Sequence, residues 1–312
     1  MKFVQRRDEI VPNVKRKKKR IKGSTIFVLV MLAYPVLQFL IMWFGVNINS
    51  ILLTFQYPVR NKLQFVGWDQ LFYNYQTLFE SFKLESTRNM FLTSFLYIIV
   101  SCFITLPIAL FFSYFIFKKI YGAGFFKVIF YLPSIIPLIV LTLVFKLSFD
   151  SNGGVMSSFL GLFGISTADM FVGENAKWAV YFFCIWAGIG YDVILLTAGM
   201  SRIPREILES VKMDGVPPLK EFFHIVIPLT WPTITTLFIL GMMSMFSVYL
   251  QPFFLTSGTN DTMTIGLQIY QQSQGAGVNT PATLGLFCSL IGAPIIVGTR
   301  SLLNRCFKDV NY

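Results

Sequence analysis

Charged residues are scarce in this sequence. Asp, Glu, Lys and Arg make up 13% of its 312 residues, against about a quarter in soluble domains. Too little polar surface is available to wrap a water-soluble fold. Histidine is nearly absent too, since His224 is the only one. The chain has four Cys. Cys102, Cys184 and Cys288 lie inside apolar runs and Cys306 follows the last one, at no zinc-ligand or disulfide-framework spacing. They read as free thiols behaving like small apolar side chains. No Gly-x4-Gly-Lys-Ser/Thr loop is present, so the chain itself is not expected to hydrolyse ATP. Neither a metal cluster nor a nucleophile–base pair stands out, and clustered acids or histidines of the kind a membrane-embedded transferase needs are missing.

What the sequence has in quantity is apolar bulk: 54% hydrophobic residues, 17% aromatic, 34 of them Phe. Six apolar runs stand out, at 24–46, 90–117, 128–149, 178–200, 233–255 and 282–303. Each is long enough to cross a hydrocarbon core of ~30 Å as a helix. None alternates as a membrane strand does, and in lipid the backbone must satisfy its own hydrogen bonds. An all-α, polytopic membrane protein with six transmembrane helices follows. Pro35, Pro107, Pro133, Pro137 and Pro294 interrupt these helices, which favours a bundle around a cavity over isolated anchors. The first run is too long for a secretory signal core and lacks a small-residue cleavage pattern.

The excess of base over acid, 26 against 15 for a net +11, is unevenly placed. Lys15, Arg16, Lys17, Lys18, Lys19, Arg20 and Lys22 precede the first run directly. A cluster there is a topology signal and a contact for anionic membrane lipid rather than a nucleic-acid patch. Lys118, Lys119 and Lys127 fill the second connection, Arg202, Arg205, Lys212 and Lys220 the fourth, and Arg305 and Lys308 the tail. The first and third connections mix acids with bases, and the fifth has Asp261 and no base. Even-numbered connections and both termini are therefore expected on the cytoplasmic side. The first connection is long, and Ile51, Leu52, Leu53 and Phe55 suit a lip in the outer interface.

The fourth connection differs from the rest. Ser201 is a candidate N-cap and Pro204 suits a first helical turn. Ile207, Leu208 and Val211 recur at helical spacing, giving an apolar stripe expected to be exposed. Asp214-Gly215 ends this helix through a left-handed glycine. Pro217 and Pro218 block continuation, and a second short helix leads to Pro228 and the fifth run.

Glu209-Ser210-Val211, three residues ending in Asp214, Gly215, nine residues, then Ile225-Val226-Ile227-Pro228 resembles the signature of the integral membrane subunits of binding-protein-dependent ABC importers. That signature reads Glu-Ala-Ala, three residues, Gly, nine residues, Ile-x-Leu-Pro. Glu209, Asp214, Gly215, Ile225 and Pro228 match in register, while Ser210 and Val211 stand for the two Ala and Ile227 for Leu. The likeness covers about 91–303 and includes Tyr131-Leu132-Pro133 and Ile203-Pro204, as in the sugar-uptake (maltose-type permease) branch. Thr256-Ser257-Gly258-Thr259-Asn260 replaces that branch's usual Thr-x-Gly-Gly-Pro.

The resemblance implies a basic cytoplasmic segment at 1–23, a transmembrane permease domain at 24–304 with a coupling loop at 201–231, and a tail at 305–312. It implies that Glu209, Val211, Asp214, Gly215, Ile225 and Pro228 couple to a cytoplasmic ATPase, the only place where ATP and magnesium are required. Its further implications are a second, paralogous permease subunit, two ATP-binding-cassette domains, an extracytoplasmic binding protein, a carbohydrate substrate and a bacterial plasma membrane location.

Inside the spans, Asp192 is the one acid at depth, costing roughly 2.5–3.5 kcal/mol to insert. Two roles fit it. It either lines the substrate path beside Trp186 and Tyr191, accepting sugar hydroxyls, or bonds a neighbouring helix. Tyr249 and Gln251 form a second polar pair, suited to the path or to interhelical bonding. Lys146 is placed to snorkel, and Met242, Met243 and Met245 suit packing. His224 sits in the coupling segment, where packing or ATPase contact suits it. An ion-coupled secondary transporter would lean on Asp192 alone and leave the signature unexplained.

Overall fold

The computed structural model describes residues 23–59, 62–65, 71–275 and 277–306. The basic N-terminal cluster and Lys308 lie outside the described residues. The chain divides into two compact units, Met1–Ser50 and Ile51–Tyr312. In the first, the described residues belong to helix α1 (Gly23–Thr54), which includes Pro35 and the Phe39–Phe44 π-helical segment. Ile51, Leu52 and Leu53, expected as part of a lip in the outer interface, are helical.

In the second unit a short antiparallel hairpin, β1 (Gln56–Val59) and β2 (Lys62–Phe65), pairs Gln56 with Phe65. Helix α2 (Tyr73–Ser81) precedes α3 (Glu85–Phe117). Then come α4 (Ala123–Ile135), α5 (Leu138–Ser148), α6 (Val155–Gly161), α7 (Asn175–Met200) and α8 (Arg205–Met213). Helix α9 (Pro218–Ser247), α10 (Leu250–Thr256), α11 (Ile265–Ser273) and α12 (Asn279–Cys306) complete the described chain. Among the described residues five helices, α1, α3, α7, α9 and α12, are long and apolar enough to cross a membrane, and the α4–α5 pair makes six if counted as one span.

In that pair the third span, read at 128–149 with Pro133 and Pro137 expected to interrupt it, is bent by 111°. Pro137 is the cause. Its ring drives Ile136 into extended backbone (φ −76°, ψ 134°) and so ends α4. The fifth span also departs from 233–255, since α9 stops at Ser247 and Val248 turns extended (φ −79°, ψ 103°). The freed Val248 carbonyl accepts from the Thr264 hydroxyl at 2.7 Å, and the same hydroxyl oxygen caps α11 by accepting from the Leu267 N–H.

Other prolines leave their helices continuous. Pro107 follows a π-helical segment at Val100–Thr105, and Pro228 follows one at Phe222–Val226. The wider turn relieves the clash and the missing N–H that proline brings to a helix interior.

Helix α7 is the hub, packed against α3, α4 and α9. Val180, Phe183, Val193, Leu196 and Met200 on α7 and Ala109 on α3 are completely enclosed. At Gly190 a Cβ would stand 2.0 Å from the Phe130 carbonyl oxygen, so only glycine lets α4 lie this close to α7.

Candidate functional site

Two regions hold the sequence-derived candidates. The first is the α8 turn, at the end of the unit where α3 and α7 finish and α9 begins. Ser201 does not cap α8. Its Oγ donates to the Thr197 carbonyl at 2.7 Å, and Pro204 occupies the N-cap position in extended backbone (φ −55°, ψ 138°). Glu206 in the first turn and Lys212 in the last oppose the helix dipole favourably.

The C-terminus closes as a Schellman motif. The Val216 N–H donates to Val211 O at 3.3 Å and the Gly215 N–H to Lys212 O at 3.2 Å. Gly215 is left-handed, with φ +66°, and nothing lies within 4 Å of where its Cβ would stand. Its requirement is conformational, with ample space around it.

The apolar stripe is not exposed, which corrects the sequence expectation. Val211 is buried, Ile207 and Leu208 are half-buried, and Leu208 packs on a cluster of Tyr114, Met200, Ile203, Phe222 and Val226. An amphipathic helix buries its apolar face wherever the same chain offers apolar surface, and the ends of α3 and α9 offer it here. Glu209, Asp214 and Gly215 stay exposed. The apolar groups facing outward are Met213 (87% exposed), Leu219 (67%) and Phe223 (58%). Ile225 and Pro228 are half-buried within α9, behind the turn. His224 is exposed, its Nδ1 3.2 Å from Lys220 O.

The base of this loop carries an ion pair that the sequence reading missed. In the sequence Lys118 carries only a topology signal, yet its Nζ lies 2.8 Å from both carboxylate oxygens of buried Glu221. A Lys and a Glu separated by so much sequence carry no local signal of pairing.

The second region is a cavity of about 220 Å³ between α3, α7, α9 and α10. Asp192, Tyr191 and Gln251 all line it, so three of the five candidates from the spans meet in one place. The other two do not. Trp186 packs into an aromatic cluster with Phe145 (stacked, 5.9 Å between centroids) and Phe183 (6.1 Å). Tyr249 packs on Tyr270 at 5.3 Å.

Ser101, Thr105, Gly188, Gly241 and Ser244 complete the polar and small-residue lining. Their helical spacings, Ser101/Thr105 and Gly188/Asp192 at i,i+4 and Gly241/Ser244 at i,i+3, were the sequence signal available. Ser244 Oγ is buried with no hydrogen-bond partner, and the Asp192 carboxylate makes no hydrogen bond or ion pair among the described residues.

A larger cavity of about 670 Å³ lies where α3 starts, lined by α2, α11 and α12. Several of its polar groups satisfy one another: Asn279 Nδ2 donates to Asn74 Oδ1 at 3.0 Å and Asn89 Nδ2 to Asp261 Oδ1 at 3.2 Å. Among the described residues no three His, Cys, Asp or Glu side chains gather as a metal site.

A family model described as the inner membrane component of binding-protein-dependent transport systems matches residues 84–308. The chain belongs to this family. Relatives include the multiple sugar-binding transport system permease protein MsmF of Streptococcus mutans, 30% identical over 190 residues, 59% of this chain and 63% of that protein. The alignment thus spans just under two thirds of MsmF's length. The probable ABC transporter permease protein MG188 of Mycoplasma genitalium is 30% identical over 226 residues, 68% of this chain and 67% of that one. Among solved structures, a chain of a bacterial alginate ABC transporter in complex with an alginate pentasaccharide-bound periplasmic protein superposes with a TM-score of 0.76 at 20% identity, covering 92% of this chain and 97% of that chain.

As an inner membrane transport component, the chain is a multi-pass membrane protein. The family match takes in the whole of α3 to α12, hence both regions described above.

Proposed function

We propose that this protein is a permease subunit of an ATP-binding-cassette importer for a sugar or oligosaccharide, catalysing no bond chemistry itself. The observation that carries the reading is the α8 turn. There the family's Glu-to-Gly stretch forms a Schellman-capped projection with Glu209 and Asp214 exposed beside Met213, Leu219 and Phe223. Apolar side chains ringed by charges suit a protein cleft, and here the cleft is that of a separate ATPase binding ATP and magnesium.

The complete importer contains a second, paralogous permease, two ATPase domains and an extracytoplasmic binding protein, in a bacterial plasma membrane. The distribution of Lys and Arg supports placing this loop and both termini in the cytoplasm. The names of relatives such as MsmF support carbohydrate as the cargo.

Asp192, Tyr191 and Gln251 form one wall of the path, with Ser101, Thr105 and Ser244. An unpaired carboxylate, an amide and hydroxyls beside a tyrosine ring supply the acceptors, donors and flat apolar face that a sugar ring requires. The second permease supplies the opposing wall. The larger cavity is a weaker claimant, because several of its polar groups are already engaged with each other.

The test uses the transporter reconstituted with its ATPase and liganded binding protein. Gly215→Val forces a β-branched residue into left-handed backbone, a strain on the order of 1–2 kcal/mol. Glu209→Lys keeps the helix and reverses an exposed charge. Both variants are expected to insert normally and to lose ATPase association or substrate-stimulated hydrolysis. Normal stimulation and uptake in both would rule the loop out as the coupling element.

A further inference from the structure

The base of the α8 loop is held to the end of α3 by more than packing. Lys118, at the C-terminus of α3, is shared by both oxygens of Glu221 at 2.8 Å, and Glu221 is only 5% exposed. One turn earlier the Tyr114 hydroxyl donates to the Pro218 carbonyl at 3.1 Å. The Tyr114 ring packs on Phe222, 5.0 Å between centroids, and the Lys118 ammonium lies 5.9 Å from the Tyr114 ring centroid. Three kinds of contact, ionic, hydrogen-bonded and aromatic, thus join Pro218, Glu221 and Phe222 of α9 to a single turn of α3.

Glu221 does not face outward, so it is not placed to meet a partner protein. A buried carboxylate is costly unless paired, and its pairing fixes one arrangement of the elements that carry it. Here those elements are the first turn of α9, which follows the exposed turn directly, and the long helix whose earlier residues Ser101 and Thr105 line the mid-span cavity.

We propose that the Lys118–Glu221 pair, braced by Tyr114, is the joint that passes displacement of the α8 loop to helix α3 and so to the wall of the cavity. This rests on the reading of the loop as the coupling element. Movement pressed on the exposed turn pulls on Pro218–Phe222, and the joint makes α3 follow. Without it, α9 moves while the Ser101–Thr105 wall stays behind. Lys118 and Glu221 are positioning residues in this account and touch no cargo.

The experiment uses the assembled transporter in proteoliposomes, with its ATPase and its binding protein purified with bound sugar. Lys118→Met keeps the apolar stem and removes the charge. It is expected to retain ATPase at wild-type stoichiometry while stimulation of hydrolysis by the binding protein falls about tenfold, within the span of ordinary coupling free energies. Lys118→Arg is expected to retain most of the stimulation. The exchanged pair Lys118→Glu with Glu221→Lys is expected to exceed either single reversal by about threefold or more, the signature of a direct pairwise term.

If Lys118→Met fails to accumulate, Glu221→Gln, which keeps one accepting oxygen, carries the same test. Wild-type stimulation in the charge-removing variant overturns the joint. So does an exchanged pair no better than its single reversals. Either result with Gly215→Val and Glu209→Lys still uncoupled removes the joint and leaves the loop's role standing. All variants behaving as wild type removes both.

Discussion

The loop end of the molecule and the cavity between its spans are built on opposite terms. At the loop, most polar groups are engaged, although Thr197 Oγ1 in the last turn of α7 is buried unbonded. Glu221 has Lys118, the Tyr114 hydroxyl has the Pro218 carbonyl, and the last carbonyls of α8 are closed by Val216 and Gly215. In the cavity, the Asp192 carboxylate makes no hydrogen bond or ion pair among the described residues and Ser244 Oγ is buried unbonded. A buried hydroxyl left unbonded costs about 1–3 kcal/mol, and the half-buried Asp192 opens onto the same cavity. The satisfied region fits a part that transmits force, and the unsatisfied one a part that meets a passing ligand.

The sharpest way to break this comparison is to move the scaffold that both regions share. Gly190 lies next to Tyr191 and Asp192 on α7, against the Phe130 carbonyl. A methyl there would stand 2.0 Å from a backbone oxygen that no rotamer change can move aside. Gly190→Ala is expected to lower stability in detergent by about 1–3 kcal/mol, the usual range for overpacking, and to reduce accumulation in the membrane. Thermal unfolding of the purified complex reads the effect. A variant as stable as wild type would mean that α4 is free to draw back from α7, and the rigid-scaffold half of the comparison would fall.

The distribution of what the sequence made legible follows the same division. Membrane spans announce themselves by length and hydropathy, and the α8 turn by a signature with fixed gaps, so the all-α architecture and the left-handed Gly215 were readable. Breaks were harder. Pro137 bends its span by 111° while Pro107 and Pro228 do not, and the difference lies in π-helical turns that composition does not encode.

Facing was hardest. A soluble helix shows its buried side by polarity, but a lipid-facing side is as apolar as a packed one. Nothing in the residue types near Asp192 said that Trp186 turns into the Phe145 cluster and Gln251 into the cavity. Val211 illustrates the converse. Its stripe is visible in the sequence, but whether its own chain or a partner covers it depends on a cluster under Leu208 that includes Tyr114, far away in sequence.

Substitution at Asp192 sharpens the cavity side of the comparison with a smaller effect. Asp192→Asn keeps shape and removes the charge. Because no partner among the described residues depends on that carboxylate, assembly and thermal stability are expected to stay near wild type. Uptake is expected to fall by about tenfold, corresponding to one lost charge-assisted hydrogen bond of roughly 1.5 kcal/mol or more. Radiolabelled sugar uptake at several concentrations separates a binding defect from a turnover defect. A complex that instead fails to assemble would place Asp192 at a subunit contact and take it out of the path.

The smallest effect is expected where sequence reasoning and structure disagree. Tyr249 was paired with Gln251 as a polar couple, but only Gln251 reaches the cavity. Tyr249 packs its ring at a tilt on Tyr270, and its hydroxyl makes no hydrogen bond among the described residues. Tyr249→Phe keeps the ring contact and deletes only the hydroxyl, so uptake and its sugar selectivity are expected to match wild type. Gln251→Ala removes a side chain from the cavity wall and is expected to weaken uptake by a few-fold, corresponding to a neutral hydrogen bond of about 0.5–1.5 kcal/mol. Competition assays with sugars differing at single hydroxyls make the contrast quantitative. If Tyr249→Phe altered selectivity and Gln251→Ala did not, the path would run along the Tyr249–Tyr270 side of α10, and the cavity around Asp192 would be packing space alone.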